Sequence, residues 1–490
     1  MKRAETVVRA VNAVIAGVSC LVCHFLIAEH SVAADEKRNV LFIISDDLTA
    51  EALSCYGNKQ CQTPNIDRLA QRGMRFTRTY CQFPVCGPSR AALMSGMYPQ
   101  AIGVSSNGAS ERFTKNLGDR PSLTQHFRRH GYYSARVSKI YHMRVPGDIT
   151  AGVDGPDHAA SWSERFNCQA PEWMTKGEHK HLTNEKLKKD PDQHYGLGFG
   201  GAFYVVRDPT DGAAQADTQA ATKAIELLEK HCDKPFFLAV GLVRPHLPLV
   251  APTTYFDSYA SPEMSLPTRI DDDWNDIPRL GIPKNSAGIG LGGRIGRQRE
   301  VLAAYYACVS FMDAQVGRVL SALDRLGLRD NTIVVFTSDH GYHLGEHDFW
   351  QKMSLHEEST RIPLIIAAPD GKPQVTASLA QQIDLYPTLA EMCGLPEVPH
   401  WQGRSLVAAL NNPRHQVHES VYCYKGNGHL LRTDRWAYLA YKDGTTELYD
   451  MQTDPRQFES LSDDPRHAEV FGRMQKQLQA KLDQIGKGPS

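Results

Sequence analysis

Several short segments of this chain carry residue types that could do chemistry together. Cys86-Gly87-Pro88-Ser89-Arg90 sets a thiol close to a guanidinium. Asp46-Asp47 and Asp339 offer hard carboxylate oxygens for a divalent cation, and Ca2+ suits that set. His340 adjoins Asp339, although a nitrogen donor is unusual for calcium. Lys139-Ile140-Tyr141-His142 and Arg244-Pro245-His246-Leu247-Pro248 each join a cation to a histidine able to exchange protons near neutral pH. Lys352 supplies one more positive charge. Each segment also has a plainer reading. The cysteine could be a buried thiol at a Pro-Ser turn that opens a helix, the aspartates solvated or capping acids, the lysines surface charges, and any histidine structural.

The elements that must position these residues read as an α/β protein. Asn39-Val40-Leu41-Phe42-Ile43-Ile44 is a continuous apolar run ending in Ser45-Asp46-Asp47, the pattern of a buried parallel strand. Pro235 to Leu242, Thr332 to Thr337 and Ile362 to Ala368 repeat it, and 217–230 and 299–326 have helical periodicity. Strands alternating with helices imply a parallel sheet covered on both faces. Its ligand site is expected beyond the carboxyl ends of the strands, where Asp46, Asp47, Asp339 and His340 fall. Segments 146–211 and 262–297 lack regular patterning and read as functional loops or as surface padding. Lys176, Lys180, Arg294 and Arg297 within them could meet a carboxylate or a second anion. Beyond Gln402-Gly403-Arg404-Ser405 short strands at 420–424, 430–441 and 447–450 precede a helical tail at 464–485. The reading is therefore a large domain over 35–400 and a smaller α+β domain over 401–490.

With 490 residues, 41% hydrophobic and 22% charged, the chain has the composition of a globular protein able to bury a large core. A net charge of −1 gives no global reason to expect nucleic acid or an anionic membrane surface. Residues 1–34 differ. Lys2, Arg3 and Arg9 precede an apolar run from Val11 to Ala28, followed by Ser31-Val32-Ala33-Ala34. This reads as a secretory signal peptide and hence export to the periplasm or medium, the alternatives being an uncleaved anchor or a lipoprotein leader. Nine of the 11 cysteines lie after residue 34, an odd number in an oxidising compartment, which leaves one thiol without a partner. Cys86 is the candidate. The others could be bridged or simply buried.

The segment Cys86 to Gly96 resembles the signature of type I sulfatases, Cys-X-Pro-Ser-Arg with a downstream Thr or Ser-Gly, with Met97 standing where that family often has Arg or Lys. Asp46-Asp47, the Lys139 and Arg244 segments, Ser338-Asp339-His340-Gly341 and Lys352 follow the family's order and approximate spacing. Asn331 to Gly341, Asp384 to Leu389 and Glu447 to Asp450 resemble further family blocks. The resemblance spans about 38–462. The Lys139-to-His142 spacing and Leu344-Gly345-Glu346-His347 through Lys352 look closest to the iduronate-2-sulfatase branch.

By this resemblance the fold is an alkaline-phosphatase-like α/β sandwich with a small C-terminal domain. Cys86 is oxidised to formylglycine by a formylglycine-generating enzyme. The metal is one Ca2+ held by Asp46, Asp47, Asp339, His340 and the modified Cys86. Sulfate esters are inert, so their hydrolysis needs a positioned nucleophile and neutralisation of charge on the sulfuryl oxygens. A hydrated aldehyde has two geminal hydroxyls, one to attack sulfur and one whose proton is lost as sulfate leaves. The resemblance gives Arg90 the orientation of that nucleophile, Lys139 and Lys352 the sulfate charge, His142 the nucleophile's proton, and His246 with Lys352 the leaving group. The expected substrate is a sulfated carbohydrate attacked from its end, a 2-O-sulfated uronic acid or similar sugar, with no nucleic acid and no stable membrane partner. The alternatives are a phosphatase or phosphonate monoester hydrolase of the same fold, or a glycan-binding protein without catalysis if Cys86 is never oxidised.

Overall fold

A computed structural model of the chain describes residues 37–183 and 202–486. The expected signal segment and part of the first irregular stretch lie outside the described residues. Arg38–Ser490 packs as one compact unit, built around an eight-stranded sheet. Its strand order is Gln374–Gln381, Met74–Tyr80, Arg361–Ala367, Thr332–Ser338, Asn39–Asp46, Phe236–Pro245, Tyr133–Ser138 and Glu164–Phe166.

The Asn39–Asp46 strand is buried along its whole length and shows why the sheet needs cover on both faces. Side chains alternate across a strand. Leu41 and Ile43 therefore enter one core, shared with helices Ala216–Lys230 and Ile295–Arg325, while Val40, Phe42 and Ile44 enter the other. Helices Cys86–Ser95, Leu123–Arg129 and Leu385–Met392 pack on that second side.

All neighbouring pairs run parallel except those made by Arg361–Ala367, which runs antiparallel to both its neighbours. The sheet is thus mainly parallel, as expected, and its one reversed strand has a topological reason. A parallel return needs a long crossover, usually a helix. Residues 339–360 provide only a two-residue hairpin pair, His343–Leu344 with Trp350–Gln351, a 3-10 turn at Glu346–Asp348 and a single helical turn at Glu357–Thr360.

The apolar runs place the observed strands within a few residues, and two of the differences matter for the site. Strand Phe236–Pro245 runs on to Pro245, which carries the chain to His246, and Thr332–Ser338 delivers Asp339 directly. Strands at Met74–Tyr80, Tyr133–Ser138 and Gln374–Gln381 have weaker patterns. In the second of these Arg136 is buried, its charge met by Asp154 and Asp157.

Towards the C-terminus a four-stranded antiparallel sheet comprises Ser420–Lys425, Gly428–Thr433, Trp436–Tyr441 and Thr446–Asp450. The stretch read as continuous from 430 to 441 is a hairpin. Helix Ala468–Gly486 buries Met474, Leu478 and Ile485 on one face of this sheet. The other face, with Leu430, Ala437, Leu439 and Tyr449, packs on Cys81, Leu355 and Ile362 of the larger sheet's surroundings. No helix among the described residues is long and apolar enough to cross a membrane.

Candidate active site

The carboxyl ends of the central strands converge on Cys86. This residue opens helix Cys86–Ser95 and is 1% exposed. A helix N-terminus presents free N–H groups and a positive field to whatever sits there, and here Gly87 N donates to Asn107 Oδ1 at 2.9 Å. Arg90 follows one turn later, on the same face as Cys86.

Arg90 is fully buried and its guanidinium is held on two sides. Nε donates to Asp339 Oδ2 at 2.9 Å, and one terminal nitrogen donates to the carbonyls of Lys139 and Ile140 at 2.5 and 3.2 Å. The other terminal nitrogen lies 3.6 Å from Asp46 Oδ1. Lys139 contacts the other oxygen of Asp46 through its ammonium group. Its backbone sits against Gly241, where a Cβ would come 2.0 Å from the Lys139 carbonyl oxygen, so glycine is required for this approach. Lys352 donates to Asp47 Oδ1 at 2.5 Å and lies 3.1 Å from Cys86 Sγ.

The donor atoms of Asp46, Asp47, Cys86 and His340 all lie within 4.8 Å of one another. His340 Nδ1 lies 2.9 Å from the Gly341 carbonyl, which only an N–H can satisfy. Its Nε2 lone pair therefore faces Cys86 Sγ and Asp47 Oδ1, both at 3.3 Å. Asp46 Oδ1 is buried with no hydrogen-bond donor. An orphaned carboxylate oxygen beside a second carboxylate and an imidazole lone pair suits a divalent cation, so the donor set fits one. Asp339 lies at the edge of the group. Its Oδ1 accepts from the backbone of Asp47 and His340 at 3.2 and 3.0 Å and its Oδ2 from Arg90. Oδ2, with one donor, keeps a second lone pair.

The histidines on the other side are also oriented. His246 Nδ1 lies 2.6 Å from the Leu247 carbonyl, leaving Nε2 directed at Asp47 Oδ2, 3.9 Å away. His142 is buried with its Nδ1 unpartnered. Burial disfavours the charged form of both rings. It takes His246 down to about 4, against the pull of Asp47 and Asp46, and His142 well below its usual range, with Lys139 adding to the effect. Burial also opposes ionisation of Asp46, but Lys139, His246 and Arg90 outweigh it and hold that carboxyl well below the usual carboxylate range. The Cys86 thiol goes the other way. Burial, then Asp46, pushes it well above its ordinary value, so the unmodified side chain is a protonated thiol at neutral pH and a poor nucleophile.

The structure thus brings Asp46, Asp47, Cys86, Arg90, Lys139, Asp339, His340 and Lys352 together, with His246 facing Asp47. Backbone strain marks the same place. Asp47, Ser138, Gln351 and Met353 all have positive φ, between 58° and 80°, flanking or within the cluster. Arg244 belongs to the scaffold. Its guanidinium is spent on Glu172 at 2.6 Å and on the carbonyls of His246 and Val250, which fixes the turn bearing His246.

Sequence reasoning missed the supports. Tyr305 of the long helix donates to the Asp47 carbonyl at 2.6 Å. Gln382 accepts from Ser89 and donates to the Ser338 carbonyl, tying the Cys86 helix to the strand before Asp339. Gln382 could have been found from its place two residues before Asp384, whereas Tyr305 has no local signal. The expected basic residues are elsewhere. Lys180 pairs with Glu300 at 2.6 Å, Lys176 and Arg294 are exposed, and none of these or Arg297 lines the cavity next to Cys86.

Comparison with known proteins gives the geometry its context. A family model described as sulfatase matches residues 38–395, and one described as N-sulphoglucosamine sulphohydrolase, C-terminal, matches 345–484. A sulfatase of Formosa agariphila is 32% identical, the alignment covering 86% of this chain and 82% of that protein. The iduronate 2-sulfatase of Homo sapiens is 33% identical over 74% of this chain and 70% of its own length. Among solved structures, a phosphonate monoester hydrolase of Agrobacterium radiobacter superposes with a TM-score of 0.74 at 22% identity, covering 93% of this chain and 99% of that one.

Proposed function

The chain belongs to the sulfatase family and is a sulfuric ester hydrolase of the alkaline-phosphatase-like fold, and we propose that it removes sulfate from the end of a sulfated carbohydrate, a 2-O-sulfated uronic acid or a similar acidic sugar. One observation carries the reading of the site. Metal-ligand groups (Asp46, Asp47, His340) and cations (Arg90, Lys139, Lys352) meet at one cysteine on a helix N-terminus.

In this reading Cys86 is the site of formylglycine, made by a formylglycine-generating enzyme. That group would supply a hydroxyl nucleophile which a buried protonated thiol cannot. Asp46, Asp47 and His340, with Asp339 beside them, would hold a Ca2+ ion. The ion would supply Lewis acidity toward a sulfuryl oxygen. The chain's own groups do the rest. Arg90, fixed by Asp339 and by the Lys139 carbonyl, orients the nucleophile. Lys139 and Lys352 meet the negative charge of the sulfuryl group, which is strongest in the transition state. His142 accepts the nucleophile's proton, and His246 presents Nε2, with Lys352, to the departing alkoxide. The 33% identity to a human iduronate 2-sulfatase supports the choice of sugar.

The test is coexpression with a formylglycine-generating enzyme, followed by peptide mass spectrometry and paired assays on an aryl sulfate and an aryl phosphate. The Cys86 peptide should show the mass change from thiol to aldehyde, and sulfate release should exceed phosphate release. Cys86→Ala should fold but release nothing. Turnover by Cys86→Ala would sink the mechanism, and preference for the phosphate would favour the phosphonate-hydrolase alternative that shares this fold.

A further inference from the structure

A cavity of about 690 Å³ adjoins the reactive cluster, within the size range of small-molecule sites. Its wall includes Val85, next to Cys86, and Asn107, which holds Gly87. It also includes Met353, which follows Lys352 and is 39% exposed at the cavity mouth. Four cations from three separate segments reach the same cavity. Arg279 and Lys284 come from the second irregular stretch, Lys425 from the first hairpin turn of the C-terminal sheet, and Lys442 from the end of its third strand. Among the described residues none of the four forms an ion pair, although the exposed Asp443 adjoins Lys442. Burial, and after it the neighbouring Lys284, lowers the Lys425 ammonium to about 8.

Gathering like charges costs free energy, and the cost is recovered when an anion binds among them. Phe83 and Leu280 on the same wall give an apolar surface to a ring face. We propose that this cavity is a subsite for a second anionic group of the substrate, a carboxylate or another sulfate on the sugar that bears or neighbours the scissile ester, gripped by Arg279, Lys284, Lys425 and Lys442. This deepens the functional reading above and rests on it. It also assigns the C-terminal sheet a direct part in choosing the substrate, through the turns that carry Lys425 and Lys442.

Three disaccharides provide the probes: an O-sulfated hexuronate–hexosamine, its carboxyl-reduced counterpart, and that reduced form carrying a second O-sulfate. The matured enzyme should turn over the first or third with a kcat/KM at least about tenfold above the reduced monosulfate, mostly through KM, consistent with a charged hydrogen-bonded contact. In Lys425→Gln/Lys442→Gln that ratio should fall toward one, and the preferred probe identifies whether carboxylate or sulfate is read. Equal kcat/KM for all three probes, or a ratio untouched by the double substitution, overturns the subsite. Calorimetric binding of the same probes to Cys86→Ala separates the two claims. Lysine-dependent, anion-dependent binding would support the subsite even if the matured enzyme released no sulfate, in which case the sulfatase mechanism alone would fail. Binding that ignores the second anion would refute the subsite.

Discussion

At the scale of single residues, Arg90 shows how much of this site is geometry rather than charge. Its fork reaches Asp339, the Lys139 carbonyl and the neighbourhood of Asp46 at once, entirely out of solvent. Lysine keeps the charge but cannot span those partners. Arg90→Lys should therefore lower kcat by about 10²-fold, the cost expected when reacting groups are displaced by about an ångström. It should also lower the melting temperature, because Asp339 loses its partner in a dry site. A variant with unchanged kcat would show that Arg90 is scaffold only. The carboxylates call for a second measurement. Asp46 and Asp47 are adjacent, buried and partly unpartnered, so a bound cation should stabilise the fold by mass action. Chelation should lower the melting temperature, and added Ca2+ should restore it in wild type but not in Asp46→Ala. Melting indifferent to both treatments would mean that no cation sits there.

The element that presents Lys352 carries its own titration. Between His343 and Glu358 the chain buries Glu346 and Glu358, and among the described residues neither forms an ion pair with a lysine or arginine. Burial pushes Glu346 up to about 8, with Glu358 adding to it. Burial does the same to Glu358, with Glu51 adding. The pair titrates as a unit, and His343 and His347 face it within 4 Å. A folded-state value above the unfolded one means that the fold holds a proton the unfolded chain has lost. The stability this gives is complete below the ordinary glutamate range and disappears as pH rises through about 8. Wild type should thus lose a few degrees of melting temperature between pH 6 and pH 9. Glu346→Gln, which keeps an oxygen to accept from Leu344 N, should lose less. Parallel curves for the two proteins would refute the shared proton. The strained residues around Lys352, Gln351 and Met353, lie on this same connection, so its packing also sets where Lys352 stands.

At the scale of the whole molecule the C-terminal sheet is packed into the body on both sides, through Tyr98 and Ile383 on one face and Cys81 and Ile362 on the other. A chain ended at residue 400 should expose these groups and fail to melt cooperatively, and a sharp thermal transition in that fragment would contradict this. The change of composition near 400 is readable in the sequence, while the packing across it is not. The sequence by itself determined the central strands, because residues buried on both faces must be apolar throughout, as in Val40 to Ile44. It also picked out residues that the structure brings together, because Cys86 with Arg90, Asp46 with Asp47 and Asp339 with His340 are local patterns that survive without a fold. Tertiary structure decided what depends on distant partners. Strand Tyr133–Ser138 hides its buried Arg136 behind acids further along the chain. The reversed direction of Arg361–Ala367 follows from a connection too short in helix to cross over. Tyr305 reaches the Asp47 carbonyl from 258 residues away. Arg279, Lys284, Lys425 and Lys442 carry no motif and look like ordinary surface charges in sequence. Periodicity reports the local surface each residue must bury, whereas the meeting of four cations at one cavity is set by how loops from different parts of the chain close over the strand ends.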